Sequence, residues 1–226
     1  MSDPLQIAAR LADSGAFQNL SAPLQTALFL GSLALLPALL VCMTPFTRIA
    51  IVLSFVRRAV TSQDIPPNMV LVGLSLFLTL FVMRPTLEQI DSRALTPWLD
   101  KTITGSEAIG KAGDVMKSFL LKQTRRQDLA LFLHLSGRKQ VQTPSDTPFD
   151  VLVPAFVISE LKTAFVMGFC IYLPFLLVDL VVACLLHGMG MMMMPPALVS
   201  APFKILLFVL ADGWHHTVRA LGLSFA

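Results

Sequence analysis

Long apolar stretches and one polar stretch alternate along this chain, with sharp boundaries between them. A first apolar segment runs from Leu24 to Met43, and a short apolar run from Ile49 to Val56 follows the MTPFTR break. A second segment runs from Pro67 to Val82, and the pattern predicts that Arg84 and Pro85 end it. The first half of the chain therefore contains two helical segments of the membrane type.

The charge-free stretch from residue 65 to residue 83 is long enough to cross a bilayer. It has 19 residues, close to the roughly 20 that a helix needs to cross a hydrocarbon core of about 30 Å. The chain is apolar again from Val151 onward, and two helices fit there, roughly Pro154 to Leu186 and Ala197 to Leu223. The pattern predicts an all-α, membrane-associated protein built from helical hairpins.

The stretch from residue 84 to residue 150 differs in character, because it holds 18 of the 31 charged residues. We expect it to face water and to form amphipathic helices, packed on each other or on a partner. The apolar positions at helical spacing are Val115, Phe119, Leu120, Leu129, Phe132 and Leu133.

These patterns divide the chain into four segments. They are a leader at 1–23, an apolar hairpin with two membrane-type segments at 24–83, a polar region at 84–150, and an apolar hairpin with a Met-rich turn at 151–226. The leader has a weak, mixed charge, so a cleavable signal peptide is not evident.

Basic residues near short connections indicate the orientation in a membrane. Arg48, Arg57 and Arg58 lie between the first two segments, and the positive-inside tendency places that connection in the cytoplasm. The polar region and both termini are then expected in the periplasm, and the Met-rich turn on the cytoplasmic side.

Four consecutive methionines occupy the turn of the second hairpin. Gly188 and Gly190 weaken a helix before them and two prolines follow, so the pattern predicts a loop. Flexible thioether side chains fill irregular gaps, so copies of this loop around an axis could seal a pore. The alternative is a Met-rich turn buried in a packed bundle. The candidate gate residues are Met191, Met192, Met193 and Met194.

Charged residues within the second hairpin form a second candidate site. Asp179 and Lys204 lie at similar distances from the turn, whereas Glu160 is much farther from it than Lys204. A bridge between Glu160 and Lys204 would therefore need a neighbouring copy displaced along the axis. Two alternatives stay open: the charges face water, or Asp179 and Glu160 relay protons in a membrane carrier.

Other chemistry finds little support in the sequence. The chain is 55% hydrophobic and 14% charged with a net charge of +3, and its basic residues form no aromatic-interleaved block, so no nucleic-acid partner is expected. The three cysteines have no CxxC spacing, so neither a metal site nor a disulfide framework is predicted. Ser159, Ser200 and Ser224 have no nucleophile motif, and no catalytic residue or cofactor is expected.

Several motifs resemble one family in the same order. They are MTPFTRIAIVLSFVRRAV, PPNMVLVGLSLFLTLFVMRP, LLKQTRRQDLALF, VLVPAFVISELKTAFVMGFCIYLPFLLVDLVVACLL, GMMMMPP and APFKILLFVLADGW, and they closely resemble the FliP family of flagellar export-gate proteins. The RQDLALF motif is more similar to the flagellar branch of the family than to its virulence-secretion relatives, which remain the alternative.

The resemblance implies a non-enzymatic pore subunit in the bacterial inner membrane, at the flagellar basal body. Five copies in this family join FliQ-like and FliR-like membrane subunits in a helical assembly, in contact with lipid, through which unfolded exported proteins pass. On the matching positions, Met191, Met192 and Met193 would form a methionine gasket with Met194 as an extra member. Glu160 and Lys204 would form the bridge between neighbouring copies.

Overall fold

A computed structural model describes residues 21–60, 65–137, 146–191 and 193–225. All regular elements in these ranges are helices, which confirms the all-α prediction. Met192, one of the four candidate gate residues, lies outside the described residues.

The helices follow the alternation of apolar and polar segments. A π-helical turn, Asp91–Leu95, joins α3 to α4. The helices are α1 (Ala22–Met43), α2 (Phe46–Val60), α3 (Asn68–Ile90), α4 (Thr96–Leu99), α5 (Gly105–Gln123), α6 (Arg126–Leu135), α7 (Phe149–Gly188), α8 (Pro196–Leu210) and α9 (Gly213–Leu223).

Helix α3 continues past the residues that were expected to end it. Pro85 lies inside the helix, which ends at Ile90, so the predicted end at Arg84 and Pro85 is wrong. A proline inside a helix removes one backbone hydrogen bond and costs about 3 kcal/mol. Leu87, Glu88 and other good helix formers follow, and their helical hydrogen bonds offset that loss.

The last predicted helix is broken in two. Helices α8 and α9 are bent by 61°, and Asp212 between them has a left-handed backbone with φ of 48°. A Cβ on Gly213 would lie 2.2 Å from Cδ2 of Phe208, so the break depends on glycine at this position. The prediction of one helix from Ala197 to Leu223 is therefore wrong, whereas α7 is continuous and begins at Phe149, before the expected Pro154.

Two helical stretches of the described chain are long and apolar enough to cross a membrane. They are Asn68–Leu99 and Phe149–Gly188, and a third is added if the bent pair α8 and α9 counts as one span. Helix α7 has 40 residues, which corresponds to about 60 Å at the helical rise per residue. This is twice the hydrocarbon thickness of about 30 Å, so an upright α7 extends well beyond the hydrocarbon core.

The chain contains two compact units, and the first comprises Met1–Pro45 and Met83–Glu160. Its core joins α5 to the start of α7, and Phe119 and Leu129 pack against it, which confirms the amphipathic pattern in the polar region. The buried core residues are Leu120, Phe149, Leu152 and Phe156.

The second unit comprises Phe46–Val82 and Leu161–Ala226. Helix α2 lies close to α7 here, because Gly168 leaves room for the Phe55 ring, whose Cδ2 would lie 2.5 Å from a Cβ at position 168. Two buried clusters form the core: Ile49, Val52, Leu53, Leu71, Ala164, Leu221 and Phe225 in one, and Val56, Ala59, Phe175 and Phe208 in the other.

Arg48 contacts residues near the C-terminus of the chain. It is buried, and its Nη1 donates to the carbonyl oxygen and to Oγ of Ser224, both at 3.0 Å. Its guanidinium carbon lies 3.9 Å from the centre of the Phe225 ring. Of the three arginines that predicted the cytoplasmic connection, Arg48 is therefore buried, Arg57 is half-buried and Arg58 is exposed.

Candidate functional site

The Met-rich stretch forms a loop between the capped end of α7 and the start of α8. Gly190 has a φ of 77°, and its N–H donates to the His187 carbonyl while the Met191 N–H donates to the Leu186 carbonyl, each at 3.0 Å. These two bonds form a Schellman motif, which requires a left-handed residue and so favours glycine. Helix α8 starts only at Pro196, and the predicted loop is confirmed.

The described methionine side chains of this loop are all exposed, and that of Met193 almost completely. Met193 is 99% exposed, and Met191 and Met194 are 43% exposed. They border an open hollow of about 700 Å³ whose other lining residues include Leu198 and Val199. Clustered exposed apolar side chains mark an interaction surface more often than a free surface. The loop thus offers a soft apolar surface to something beyond this single chain.

Lys204, Ser200 and Asp179 form a polar cluster in the second unit, which we call the lysine cluster. Lys204 Nζ lies 2.5 Å from Oδ2 of Asp179, and Ser200 Oγ donates to Oδ1 at 2.5 Å. Ser200 and Lys204 are one turn apart on α8, so both reach the same carboxylate on α7. The Lys204 side chain is 10% exposed and that of Asp179 is 34% exposed. The expectation that Asp179 and Lys204 lie at similar heights is confirmed.

Ser159, Asp128 and the backbone of Arg125 form a second polar cluster, in the first unit, which we call the serine clasp. Ser159 Oγ donates to Oδ2 of Asp128 at 2.7 Å and accepts from the Arg125 N–H at 3.0 Å. Asp128 is buried, and Ser159 and its neighbour Glu160 are fully buried. The start of α6 is thereby attached to α7 at the residue before Glu160.

The three serines excluded as nucleophiles all bind charged side chains, and sequence reasoning missed this role. Ser159 binds Asp128, Ser200 binds Asp179, and Ser224 binds Arg48. The spacing of Ser200 one turn before Lys204 could have revealed the second of these contacts. The other two join residues 31 and 176 positions apart in sequence, a separation that no local pattern reveals. Within the described ranges, no three His, Cys, Asp or Glu side chains group as metal ligands do.

The part of this chain that matches known proteins includes the Met-rich loop, the lysine cluster and the serine clasp. The model of the FliP family matches residues 29–221. The chain belongs to the FliP family. It is 50% identical over 208 residues to the flagellar biosynthetic protein FliP of Bacillus subtilis (strain 168), covering 92% of this chain and 94% of that relative.

Two further FliP relatives come from other bacteria. The flagellar biosynthetic protein FliP of Cereibacter sphaeroides is 50% identical over 202 residues, covering 89% of this chain and 67% of the relative. That of Aquifex aeolicus (strain VF5) is 45% identical over 209 residues, covering 92% of this chain and 87% of the relative. The FliP match therefore includes the whole second unit except its last residues, and the polar region of the first.

Proposed function

We propose that this chain is a core pore-forming subunit of the flagellar type III protein export gate, in which the loops at Met191, Met192, Met193 and Met194 of several copies seal the channel. As a member of the FliP family, the chain is a flagellar biosynthesis protein of the type III export apparatus, with apolar helices suited to a membrane. The pore role and the gasket are the proposal. A flagellar system is favoured over a virulence system because the matched relatives are flagellar proteins.

The observation that carries this proposal is the exposure of thioether side chains on a loop between two well-defined helix ends. One loop cannot enclose a channel, and Met193 finds no cover within its own chain at 99% exposure. Copies around an axis would cover these side chains with one another. Methionine adapts its shape at little cost, so such a ring could exclude ions at rest and deform around a passing unfolded chain.

The assembly that follows has several copies of this chain, five if it follows the family, together with FliQ-like and FliR-like membrane subunits. It belongs to the inner membrane at the flagellar basal body, and it passes unfolded flagellar proteins. The termini and the polar region are proposed to lie in the periplasm. The length of α7, about 60 Å at the helical rise per residue, favours protein contacts for the part of its apolar surface beyond the bilayer.

Contact between neighbouring copies is proposed to include a bridge from Glu160 of one copy to Lys204 of the next. Lys204 is held by Asp179 in the single chain, but an ammonium group has three donor protons and can accept a second carboxylate. Asp179 and Lys204 lie together on the hairpin, and Glu160 is 19 residues farther along α7, about 28 Å at the helical rise. A straight neighbour must therefore be displaced by a similar distance, as a helical assembly allows.

Replacing Met191, Met192, Met193 and Met194 together with alanine tests the gasket. Smaller side chains leave gaps at the constriction, so ion conductance of membranes that contain the assembled complex should rise about tenfold, a barrier change of roughly 1.4 kcal/mol. Planar-bilayer recording measures this. Met69→Ala is the matched control, because Met69 is 85% exposed but lies outside the loop. Unchanged conductance in a correctly assembled quadruple variant would rule out the gasket.

Charge reversal tests the bridge between copies. We expect Glu160→Lys to block oligomer formation, because it places two cations together in a buried site, at a cost of roughly 3 to 5 kcal/mol. Adding Lys204→Glu should restore part of the oligomer, but not all of it, since the new glutamate lies beside Asp179. Native mass measurement of the solubilised complex reports the result. Lys162→Glu on the exposed side of α7 is the control. A double variant that recovers nothing would argue against the pairing.

A further inference from the structure

We propose that the Met-rich loop is a binding site for a soft monovalent cation of the Cu(I) and Ag(I) class, held by the thioether sulfurs of Met191, Met193 and Met194. We call these three side chains the thioether site. It belongs to a single chain and needs neither the pore nor contacts between copies. A gasket uses the pliable shape of methionine, whereas this site uses the sulfur atoms themselves.

The three side chains of the thioether site border one hollow. Met191, Met193 and Met194 all line the same open space of about 700 Å³. The Met194 N–H donates to the Met191 carbonyl at 3.4 Å, and the Cα atoms at the two ends of a turn closed in this way lie within about 7 Å of each other. Methionine has three rotatable bonds, so the sulfurs of these two residues can reach one ion between them.

The ligand atoms around this hollow select the class of ion. Among the described residues that line it, none has a charged side chain, and the remainder are glycine, proline, leucine and valine. Hard cations such as Mg²⁺ and Ca²⁺ require oxygen ligands, commonly carboxylates, whereas thioethers select Cu(I). A filled d shell imposes no geometric preference of its own, so the sulfurs need only come within reach of the ion. Ag(I) has the same charge and a filled d shell, and it serves as a stand-in that is stable to air.

The two ends of the loop keep these side chains close together before an ion binds. Gly190 caps α7 in a left-handed conformation, with a φ of 77°, and Pro195 precedes α8 with a φ of −68°, which its ring holds near that value. Restricted loop ends lower the entropy lost when the ligands are ordered around an ion. Met191 and Met194 are 43% exposed, so an ion can reach them from outside the chain.

The histidine nearest to the loop in sequence is not assigned to the site. Nδ1 of His187 lies 2.7 Å from the carbonyl oxygen of Ala183, one turn back along α7. The imidazole is thereby held against its own helix, on the side directed away from the loop. Imidazole suits Zn²⁺ and Cu²⁺ as well as Cu(I), so a site built from thioethers alone is the more selective for a soft monovalent ion.

Ag⁺ titration of the full-length chain in detergent tests the thioether site. Cys42, Cys170 and Cys184 are first replaced by alanine, because thiolates bind the same soft ions. The probe is silver nitrate in chloride-free buffer, and NMR of isotope-labelled methionine methyl groups reports each thioether separately. We expect the signals of the thioether site to shift together over one range of Ag⁺ concentration. The signal of Met69, which is 85% exposed but lies outside the loop, should shift only at higher concentration.

Leucine variants separate the sulfur atoms from the shape of the side chains. Leucine replaces methionine at little cost in volume, so the triple variant Met191→Leu, Met193→Leu, Met194→Leu keeps an apolar loop and loses the ligands. Isothermal titration calorimetry should show an affinity for Ag⁺ at least about tenfold lower than that of the parent chain. Met69→Leu and His187→Asn are the matched controls, and both should keep the affinity of the parent chain.

Three results would overturn the proposal. One is an unchanged affinity for Ag⁺ in the triple leucine variant. Another is a loss in His187→Asn as large as in that variant, because the ligand would then be an imidazole. The third is a shift of the Met69 signal together with those of the loop, because Ag⁺ would then bind any exposed thioether. The last result comes from the chain with its loop unaltered, so it does not depend on how the variants fold.

These outcomes are distinct from those that test the proposed function, because Ag⁺ binding is measured on the single chain. If the triple leucine variant loses Ag⁺ but its assembled complex stays sealed, the thioether site stands and the gasket needs only the shape of the side chains. If the alanine variant of the loop leaves conductance unchanged while the parent chain binds Ag⁺, the gasket is refuted and the thioether site stands.

Discussion

The serine clasp and the lysine cluster each contain a serine bound to an aspartate, and they differ in what else stabilises the negative charge of that aspartate. In each, a fully buried serine hydroxyl on one helix donates to an aspartate on another. Asp179 also accepts from the ammonium group of Lys204. Asp128 lies in the first turn of α6, where the partial positive charge of a helix N-terminus stabilises an anion by about 0.3 to 2 kcal/mol. One carboxylate is paired with a full charge, the other with a hydroxyl and a helix end.

That difference suits the two clusters to different tasks. A lysine has protons to spare after it binds Asp179, so the lysine cluster can accept a further carboxylate when copies assemble. The Ser159 hydroxyl uses its one proton on Asp128 and accepts from the Arg125 N–H, so it has no proton left to donate to a neighbouring copy. We therefore interpret the lysine cluster as a contact open to assembly and the serine clasp as an internal anchor.

Removal of the aspartate charge should give the largest difference in unfolding free energy between the two clusters. We expect Asp179→Asn to lower the free energy of unfolding by about 3 kcal/mol, because it leaves the largely buried Lys204 without its counter-charge. Asp128→Asn should cost less than about 1 kcal/mol, since its amide oxygen can still accept from Ser159. SDS titration of the purified chain, followed by helical circular dichroism, measures both.

Two controls decide whether burial explains the Asp179 effect. The double variant Asp179→Asn with Lys204→Met should recover most of the loss, because no buried charge is then left alone. Glu88→Gln breaks the Arg84–Glu88 pair, whose side chains are 76% and 64% exposed, and should cost at most about 0.5 kcal/mol. If Asp179→Asn and Asp128→Asn lower the free energy of unfolding equally, the charges of the two aspartates are stabilised in the same way, and the comparison is wrong.

Removal of the serine hydroxyl should destabilise the serine clasp more than the lysine cluster, which is the opposite of the order expected for the aspartate variants. The difference in unfolding free energy should also be smaller. We expect Ser159→Ala to cost about 2 kcal/mol, because both Asp128 and the Arg125 N–H lose this partner in a buried site. Ser200→Ala should cost about 1 kcal/mol, since Asp179 keeps its bond to Lys204. The same unfolding measurement applies, with Ser118→Ala as the control for loss of a hydroxyl that bonds within its own helix. A larger loss for Ser200→Ala would contradict the comparison.

Counting residues along the second hairpin predicted the relative heights of Asp179 and Lys204, but not their contact. Once the turn is placed at the methionines, antiparallel helices with a constant rise bring the two residues to similar heights, and the structure shows that they also form an ion pair. The serine clasp could not be found in this way. Ser159 and Asp128 are joined across the connection between α6 and α7, and the sequence contains no period that relates them.

Local signals were also weaker guides to helix ends than to helix identity. Pro85 was expected to end α3, but the helix continues through it. The last helix was expected to be continuous, but it breaks at Asp212. Both outcomes depend on neighbours: helical hydrogen bonds past Pro85 offset one lost bond, and the Phe208 ring occupies the space that a side chain at Gly213 would need. Likewise, nothing local in the sequence indicates the contact of Arg48 with Ser224.

The sequence alone determined that this chain is helical, apolar enough for a membrane, and turned at a methionine loop, because these properties follow from period, composition and glycine or proline positions that act over a few residues. Tertiary structure decided which charge meets which partner and which face of α7 is buried. A helix with apolar residues on most of its sides does not select its buried face by itself, so that choice depends on the helices that pack against it, as the core around Leu152 and Phe156 shows.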